Sequence, residues 1–226
     1  MNFLNKSEDI TLVDFPKSQY IQEETQKGQI YLHHTAGNSN PFGVFNDWST
    51  NPERIATCVV IGGKPKKTDI FVDGQIVQGF SSKKWAYHLG LRESTFNNFN
   101  LPYKSLDKIS IGIEICGWGQ LTYRSGKFYT WTDKVLSEED VIELSTPFRG
   151  FKYFHNYTDS QIESVEKLLR YWGETYNIPL TYNPDIFDVN ARALSGERGV
   201  FTHCSVRYDK IDIYPHPKLI EMLKSL

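Results

Sequence analysis

Two of the six histidines in this chain end apolar runs of the kind that form β-strands: His33 closes "QIYLH" and His203 closes "GVFTH". Open α/β sheets place their binding crevices at the carboxyl ends of strands. The segment after His203, "CSVRYDKIDIYPH", adds Asp209, Lys210 and Asp212. A neutral imidazole from each strand end plus one carboxylate would give zinc three protein ligands and leave the fourth tetrahedral position for water. That is the arrangement of a catalytic site rather than a closed structural one. Spacing alone leaves the choice between Asp209 and Asp212 open, and the bland alternative is two partly buried histidines with ordinary hydrogen-bond partners.

Glu114 is the one charge inside "ISIGIEICGW" (109–118). An ionised carboxylate in an apolar strand must be paired, neutralised or functional. It reads either as half of a salt bridge or as a general base whose pKa is raised by burial. Lys210 is either a solvated lysine or a cation aimed at an oxyanion. Cys204, next to His203, should face away from it if the strand continues, which makes it a packing residue rather than a ligand or nucleophile. His33 and His34 are adjacent on a strand and point to opposite sides. His33 shares a face with Tyr31, and His34 shares one with Leu32, where a partnered structural histidine is expected.

The elements that would hold these groups are legible in part. Residues 29–35 alternate as a strand half facing a core. "CVVIGG" (58–63) and "DIFVDGQIVQGF" (69–80) follow, the latter with Asp73-Gly74 as a hairpin signal, and 109–118 is a near-continuous apolar run that suits a central, doubly covered strand. "NPFGVFNDWS" (40–49) reads as a short helix presenting Phe42, Phe45 and Trp48. The spacing at 158–177 predicts a helix behind a Thr158-x-x-Gln161 capping box, with Ile162, Val165, Leu168, Leu169, Trp172 and Tyr176 as its apolar stripe. "GVFTH" (199–203) and a helix over 216–226, with Pro217 near its first turn, close the pattern. Residues 119–157 interrupt it with an aromatic-rich excursion in which Ser125-Gly126 suggests a hairpin.

At 226 residues, 39% hydrophobic and 23% charged, the chain suits one domain, with a core at about 29–215 and an insertion at about 119–157. A formal net charge of −2 gives no general drive toward nucleic acid or an anionic membrane. Three cysteines without paired spacing argue against a disulfide framework. The start, "MNFLNKSEDITLVDF", shows no apolar leader core, and no stretch is long enough to span a bilayer.

"YLHHTAG", "KKWAYHLG" (83–90), "SIGIEI" (110–115) and "THCSVRYDKID" (202–212), in this order, resemble the zinc-dependent N-acetylmuramoyl-L-alanine amidases of the peptidoglycan recognition protein and phage lysozyme superfamily. The resemblance runs from about Gln29 to Asp212. It implies an α/β fold, a mixed central β-sheet flanked by α-helices, here carrying the aromatic-rich insertion. It implies zinc bound by His33, His203 and Asp212, Glu114 as the catalytic carboxylate, Lys210 as the transition-state cation, and His88 lining the substrate groove. Cys58 departs from the histidine or tyrosine common before the second strand, and the Trp85-Ala86-Tyr87-His88 order is shifted from the usual Trp-His.

The implied reaction is hydrolysis of the amide between N-acetylmuramic acid and L-alanine in peptidoglycan or muropeptides, by a monomer with no nucleic-acid partner and no integral membrane segment. The implied setting is a bacterial host: synthesis in the cytoplasm without a signal peptide, then release to the wall as a phage or prophage lysin. The alternatives are a cytoplasmic muropeptide-recycling amidase and a non-catalytic peptidoglycan-binding protein on the same fold. A zinc peptidase of another kind finds no H-E-x-x-H to support it.

Overall fold

Apolar runs that need cover on both faces form the middle of the main sheet. The computed structural model describes residues 10–226; residues 1–9, which include most of the stretch read for a leader, lie outside the described residues. In chain order the elements are β1 (Ile10–Leu12), β2 (Gln29–His34), α1 (Pro41–Trp48), β3 (Val59–Ile61), β4 (Ile76–Gln78), α2 (Glu93–Asn97), α3 (Leu106–Ile109) and β5 (Ser110–Ile115). The insertion follows with β6 (Gln120–Arg124), β7 (Lys127–Tyr129), β8 (Val135–Leu136), β9 (Val141–Phe148) and β10 (Phe151–His155). The chain ends with α4 (Asp159–Tyr176), α5 (Ala191–Ser195), β11 (Gly199–Thr202) and α6 (Pro217–Ser225).

The main sheet runs β1-β4-β3-β5-β2-β11, and β3 with β4 is its one antiparallel pair. This is the expected mixed α/β architecture. All six residues of β5 are buried, as its composition predicts. All six of β2 are buried as well, where alternation suggests one exposed face. The difference is positional: β2 is an interior strand between β11 and β5, Ile30 and Leu32 join the core on one face, and Tyr31 on the other packs beside His88 and Phe201.

The run at 69–80 also departs from expectation, since only Ile76–Gln78 is strand. Ile70 and Val72 are exposed, and Asp73-Gly74 forms a turn ahead of β4 in which the Gln75 amide donates to the Val72 carbonyl at 3.1 Å and the Val72 amide donates to Gln75 Oε1 at 3.0 Å. The antiparallel pairing joins β4 to β3, across a longer loop than a two-residue turn.

Local signals govern α4. Thr158 Oγ1 accepts from the Gln161 amide and Gln161 Oε1 from the Thr158 amide, both at 3.1 Å, which completes the capping box. Ile162, Val165, Leu168, Leu169 and Trp172 are buried, and the helix lies against β3 and α6. Tyr176, read as part of the stripe, is half-buried because its hydroxyl pairs with Ser82 Oγ at 2.8 Å.

The insertion builds its own antiparallel sheet, β8-β7-β6-β10-β9. Ser125 and Gly126, with φ of 49° and 74°, make the two-residue β6/β7 turn whose twist matches the strands it joins. Arg149 and Gly150, at 47° and 88°, make the equivalent β9/β10 turn. No helix among the described residues is long and apolar enough to cross a membrane.

Two buried histidines outside the groove's centre give the fold a pH dependence. His216 Nδ1 accepts from the Leu219 amide at 3.3 Å as the α6 cap, while its Nε2 donates to Asn156 Oδ1 at 2.8 Å. His34 Nδ1 pairs with the Tyr157 hydroxyl at 2.8 Å. Burial lowers both pKa values from 6.5 to about 4. The unfolded chain therefore binds more protons between these limits, and stability present above pH 6.5 is lost as pH falls toward 4. The urea midpoint should fall steadily across that interval, and replacing His34 by Gln should flatten the slope. A midpoint independent of pH there would contradict the assignment.

Candidate active site and metal centre

β2 and β11 are parallel neighbours, so their carboxyl ends deliver His33 and His203 to the same edge of the sheet. β11 ends at Thr202, and His203 opens a 3₁₀ turn (His203–Ser205) in which Thr202 and Ser205 cap each other reciprocally. His33 Nδ1 lies 3.1 Å from His203 Nδ1 and 3.3 Å from Asp212 Oδ2, and His203 Nδ1 lies 2.9 Å from the same oxygen. Asp209, the other candidate carboxylate, is exposed and pairs with Arg92 and Arg207 at 3.0 and 2.7 Å. The structure thus brings Asp212, and not Asp209, to the two histidines.

The outer nitrogens decide which way the inner ones face. His203 Nε2 donates to the Leu89 carbonyl at 2.9 Å, so the Nδ1 of the neutral ring presents a lone pair inward. For His33 the assignment runs through two more groups. Ser110 Oγ reaches the Asp107 carbonyl at 3.5 Å and so accepts from His88 Nε2 at 2.9 Å. His88 Nδ1 is then an acceptor, taking the proton of His33 Nε2 at 3.0 Å. His33 Nδ1 is left with an inward lone pair as well. Burial holds His33 neutral, lowering its pKa to about 4 with His203 adding to the effect, and burial likewise drives His88 well below its usual value.

Two lone pairs and a carboxylate oxygen aimed at one point repel each other unless a cation or proton lies among them. Ligands about 2.0–2.1 Å from a tetrahedral zinc ion are about 3.4 Å apart, close to the separations here. Nitrogen and oxygen donors with their outer nitrogens already committed suit zinc. Burial pushes the Asp212 carboxyl up, and the two histidines override it, holding it well below the usual range.

Glu114 sits directly across from His33 in the β2/β5 register, so both side chains rise from the same face. It is buried, accepts no hydrogen bond from the described residues, and borders a groove of about 740 Å³ shared with His33, His203, Lys210 and Asp212. Burial raises its pKa well above the ordinary value, Asp212's charge adds to this, and Lys210 opposes it.

His88 borders the groove, but both its ring nitrogens are spent on His33 and Ser110. It comes this close because Gly112 has no side chain: a Cβ there would lie 3.1 Å from His88 Nδ1 and 2.5 Å from Thr57 Cγ2. His34 is buried against Tyr157, as expected for the side away from the ligand. Cys204 packs, but for a different reason than strand alternation: the 3₁₀ turn aims its thiol at the carbonyls of Lys210 (3.2 Å) and Asp212 (3.5 Å). Burial pushes that thiol up to about 12, and Cys58 likewise, so neither supplies a thiolate.

Two residues without a local sequence signal complete the site. Asp107 Oδ1 accepts from the amides of His88 (2.8 Å) and Leu89 (3.0 Å), fixing the segment that orients both histidines. Arg149, at the β9/β10 turn, donates to the carbonyls of Arg207 and Tyr208 at 3.0 Å and also to that of Lys210, so the insertion clasps the loop bearing Lys210 and Asp212.

Residues 25–217 match the family described as N-acetylmuramoyl-L-alanine amidase (Amidase_2). No curated protein matches the chain significantly. Among solved structures, the chain is similar to PlyL, at 15% identity over 97% of this chain and 98% of that one, with a TM-score of 0.52. The PlyG catalytic domain gives 13% identity over 96% and 93%, with a TM-score of 0.54. AmiD from E. coli, solved with anhydro-N-acetylmuramic acid-L-Ala-D-gamma-Glu-L-Lys, gives 15% over 91% and 66%, with a TM-score of 0.50. At these identities the likeness is one of fold.

Proposed function

Since the chain belongs to the N-acetylmuramoyl-L-alanine amidase family, we propose that it cleaves the bond between N-acetylmuramic acid and L-alanine of peptidoglycan at a zinc ion held by His33, His203 and Asp212. The observation that carries this is the convergence of two histidine lone pairs and one carboxylate beside a buried Glu114 that accepts no hydrogen bond from the described residues. When bound, zinc supplies Lewis acidity toward a carbonyl and makes water acidic enough to lose a proton near neutral pH.

The chain's own residues do the rest. Glu114, with its pKa raised by burial, takes the proton of the attacking water and returns it to the leaving L-alanine nitrogen. Lys210, half-buried at the groove wall, places its ammonium toward the developing oxyanion. His88 acts one step back, holding the plane and tautomer of His33. Replacing His88 by Ala should weaken zinc binding by about 10–100-fold, read by competition with a colorimetric chelator. Unchanged affinity would remove His88 from this role.

The retained ligand set and Glu114 weigh against a receptor that only binds peptidoglycan. The long insertion and the "VRYDKIDIYPHP" ending, which resemble phage-type members, support a lytic role: synthesis in a bacterial cytoplasm and release to the wall, where the protein acts as a monomer. Mass spectrometry of products from purified sacculi, with and without zinc chelation, tests the reaction. Free stem peptides beginning with L-alanine, abolished by chelation, are the expected result. Cleavage restricted to soluble muropeptides would favour a recycling enzyme.

A further inference from the structure

Trp131 stands at the rim of the groove on the insertion's β7–β8 loop. It is 66% exposed, yet its Nε1 donates to the Ala36 carbonyl at 2.6 Å, and Ala36 itself lines the groove. Ala36 is three residues past His33, so at most about 11 Å of chain separates it from the ligand cluster. Isolated exposed apolar residues are common and need no function. Trp131 differs in being fixed. Buried Thr130 accepts the Lys134 amide at Oγ1 (3.1 Å) and the Asp133 amide at its carbonyl (3.0 Å), while its own amide donates to the Lys134 carbonyl (2.9 Å). Lys134 Nζ in turn lies 4.8 Å from the Trp118 ring centre. The loop is therefore ordered before any ligand arrives.

No aromatic ring packs against Trp131 among the described residues, in contrast to exposed Tyr123, which rests on Phe128 at 4.8 Å. A tethered indole with its surface open to water at the end of a groove fits one ligand chemistry well. A pyranose ring offers an apolar face of C–H bonds to an aromatic surface while its hydroxyls stay hydrated. Fixing the ring beforehand removes the ordering cost that a free side chain would carry on binding.

We propose that Trp131 is a stacking platform for a sugar of the glycan strand adjoining the muramoyl residue held at the centre, so that the insertion extends recognition along the glycan. This rests on the peptidoglycan reading above, and the test separates the two.

The probe is an N-acetylglucosamine tetramer titrated calorimetrically into the zinc-loaded protein, with kcat/KM measured in parallel on glycan strands and on a single-sugar muramoyl peptide. Saturable tetramer binding is expected in the wild type, weakened at least about fivefold in Trp131→Ala. The ratio of kcat/KM on strands to that on the single-sugar substrate should fall by a similar factor. Trp131→Gln keeps a side-chain N–H for the Ala36 carbonyl but has no ring, and should lose the same factor. Tyr123→Ala should behave as wild type in both measurements. Absence of tetramer binding by the wild type, wild-type affinity in Trp131→Gln, or an equal loss of kcat/KM on both substrates would overturn the platform. Failure of the zinc-loaded wild type to cleave either substrate would instead refute the amidase reading, while the tetramer titration still reports on Trp131.

Discussion

Glu114→Gln is expected to retain one zinc per chain and to lose turnover by about 10²–10⁴-fold, the range for removing a general acid–base group. The substitution preserves shape, and Glu114 accepts no hydrogen bond from the described residues, so no protein donor is stranded by it. Burial already disfavours the charged carboxylate, hence a neutral amide should leave the melting temperature equal or higher. A raised Glu114 pKa also places the acid limb of the kcat/KM profile above the ordinary carboxylate range: activity rises with pH as the carboxyl ionises. Peptide release from sacculi at near wild-type rate, with zinc bound, would refute the role.

His203→Ala should lose both zinc and activity. The variant removes an inward lone pair and leaves the Leu89 carbonyl without its donor, 2.9 Å away in the native protein. It does not remove the Thr202–Ser205 caps that form the turn, so the backbone should persist and the loss should read as loss of metal. Metal analysis after dialysis against a weak chelator is the direct measurement. A variant that held one zinc with native affinity would show that the ligand lies elsewhere. Cys204→Ala is the neighbouring contrast, expected to cost stability through its packing with little effect on metal.

These residues show which parts of the fold and site were legible in the amino-acid order. Helix α4 was readable because its determinants lie within one segment: the Thr158/Gln161 box and an apolar face at helical spacing. The β6/β7 turn was readable from Ser125-Gly126 for the same reason. The candidate ligands His33, His203 and Asp212 emerged from chain position and resemblance together, and the structure places them within reach of a single ion. Burial of both faces of β2 was not readable, since the face bearing Tyr31 is covered by residues remote in the chain, His88 and Phe201. His88 was expected as a groove contact; its two ring bonds depend on Gly112 and Ser110, which only folding brings beneath it. Asp107 and Arg149 act by hydrogen-bonding to backbone groups of remote segments, and side chain–backbone contacts of that kind leave no residue pattern to recognise.

Arg149 bears on how this protein can be altered. The aromatic sheet resembles a detachable ornament beside the main sheet, and it invites truncation or exchange. Its far turn nevertheless holds the backbone carbonyls of the segment that carries Lys210 and Asp212. Deleting the sheet would therefore leave that segment without its clasp, and a graft that kept the core but swapped the sheet would need an equivalent guanidinium at the same turn. The accessory and the chemical centre are thus coupled in this chain, and its length is constrained from the side that looks freest to vary.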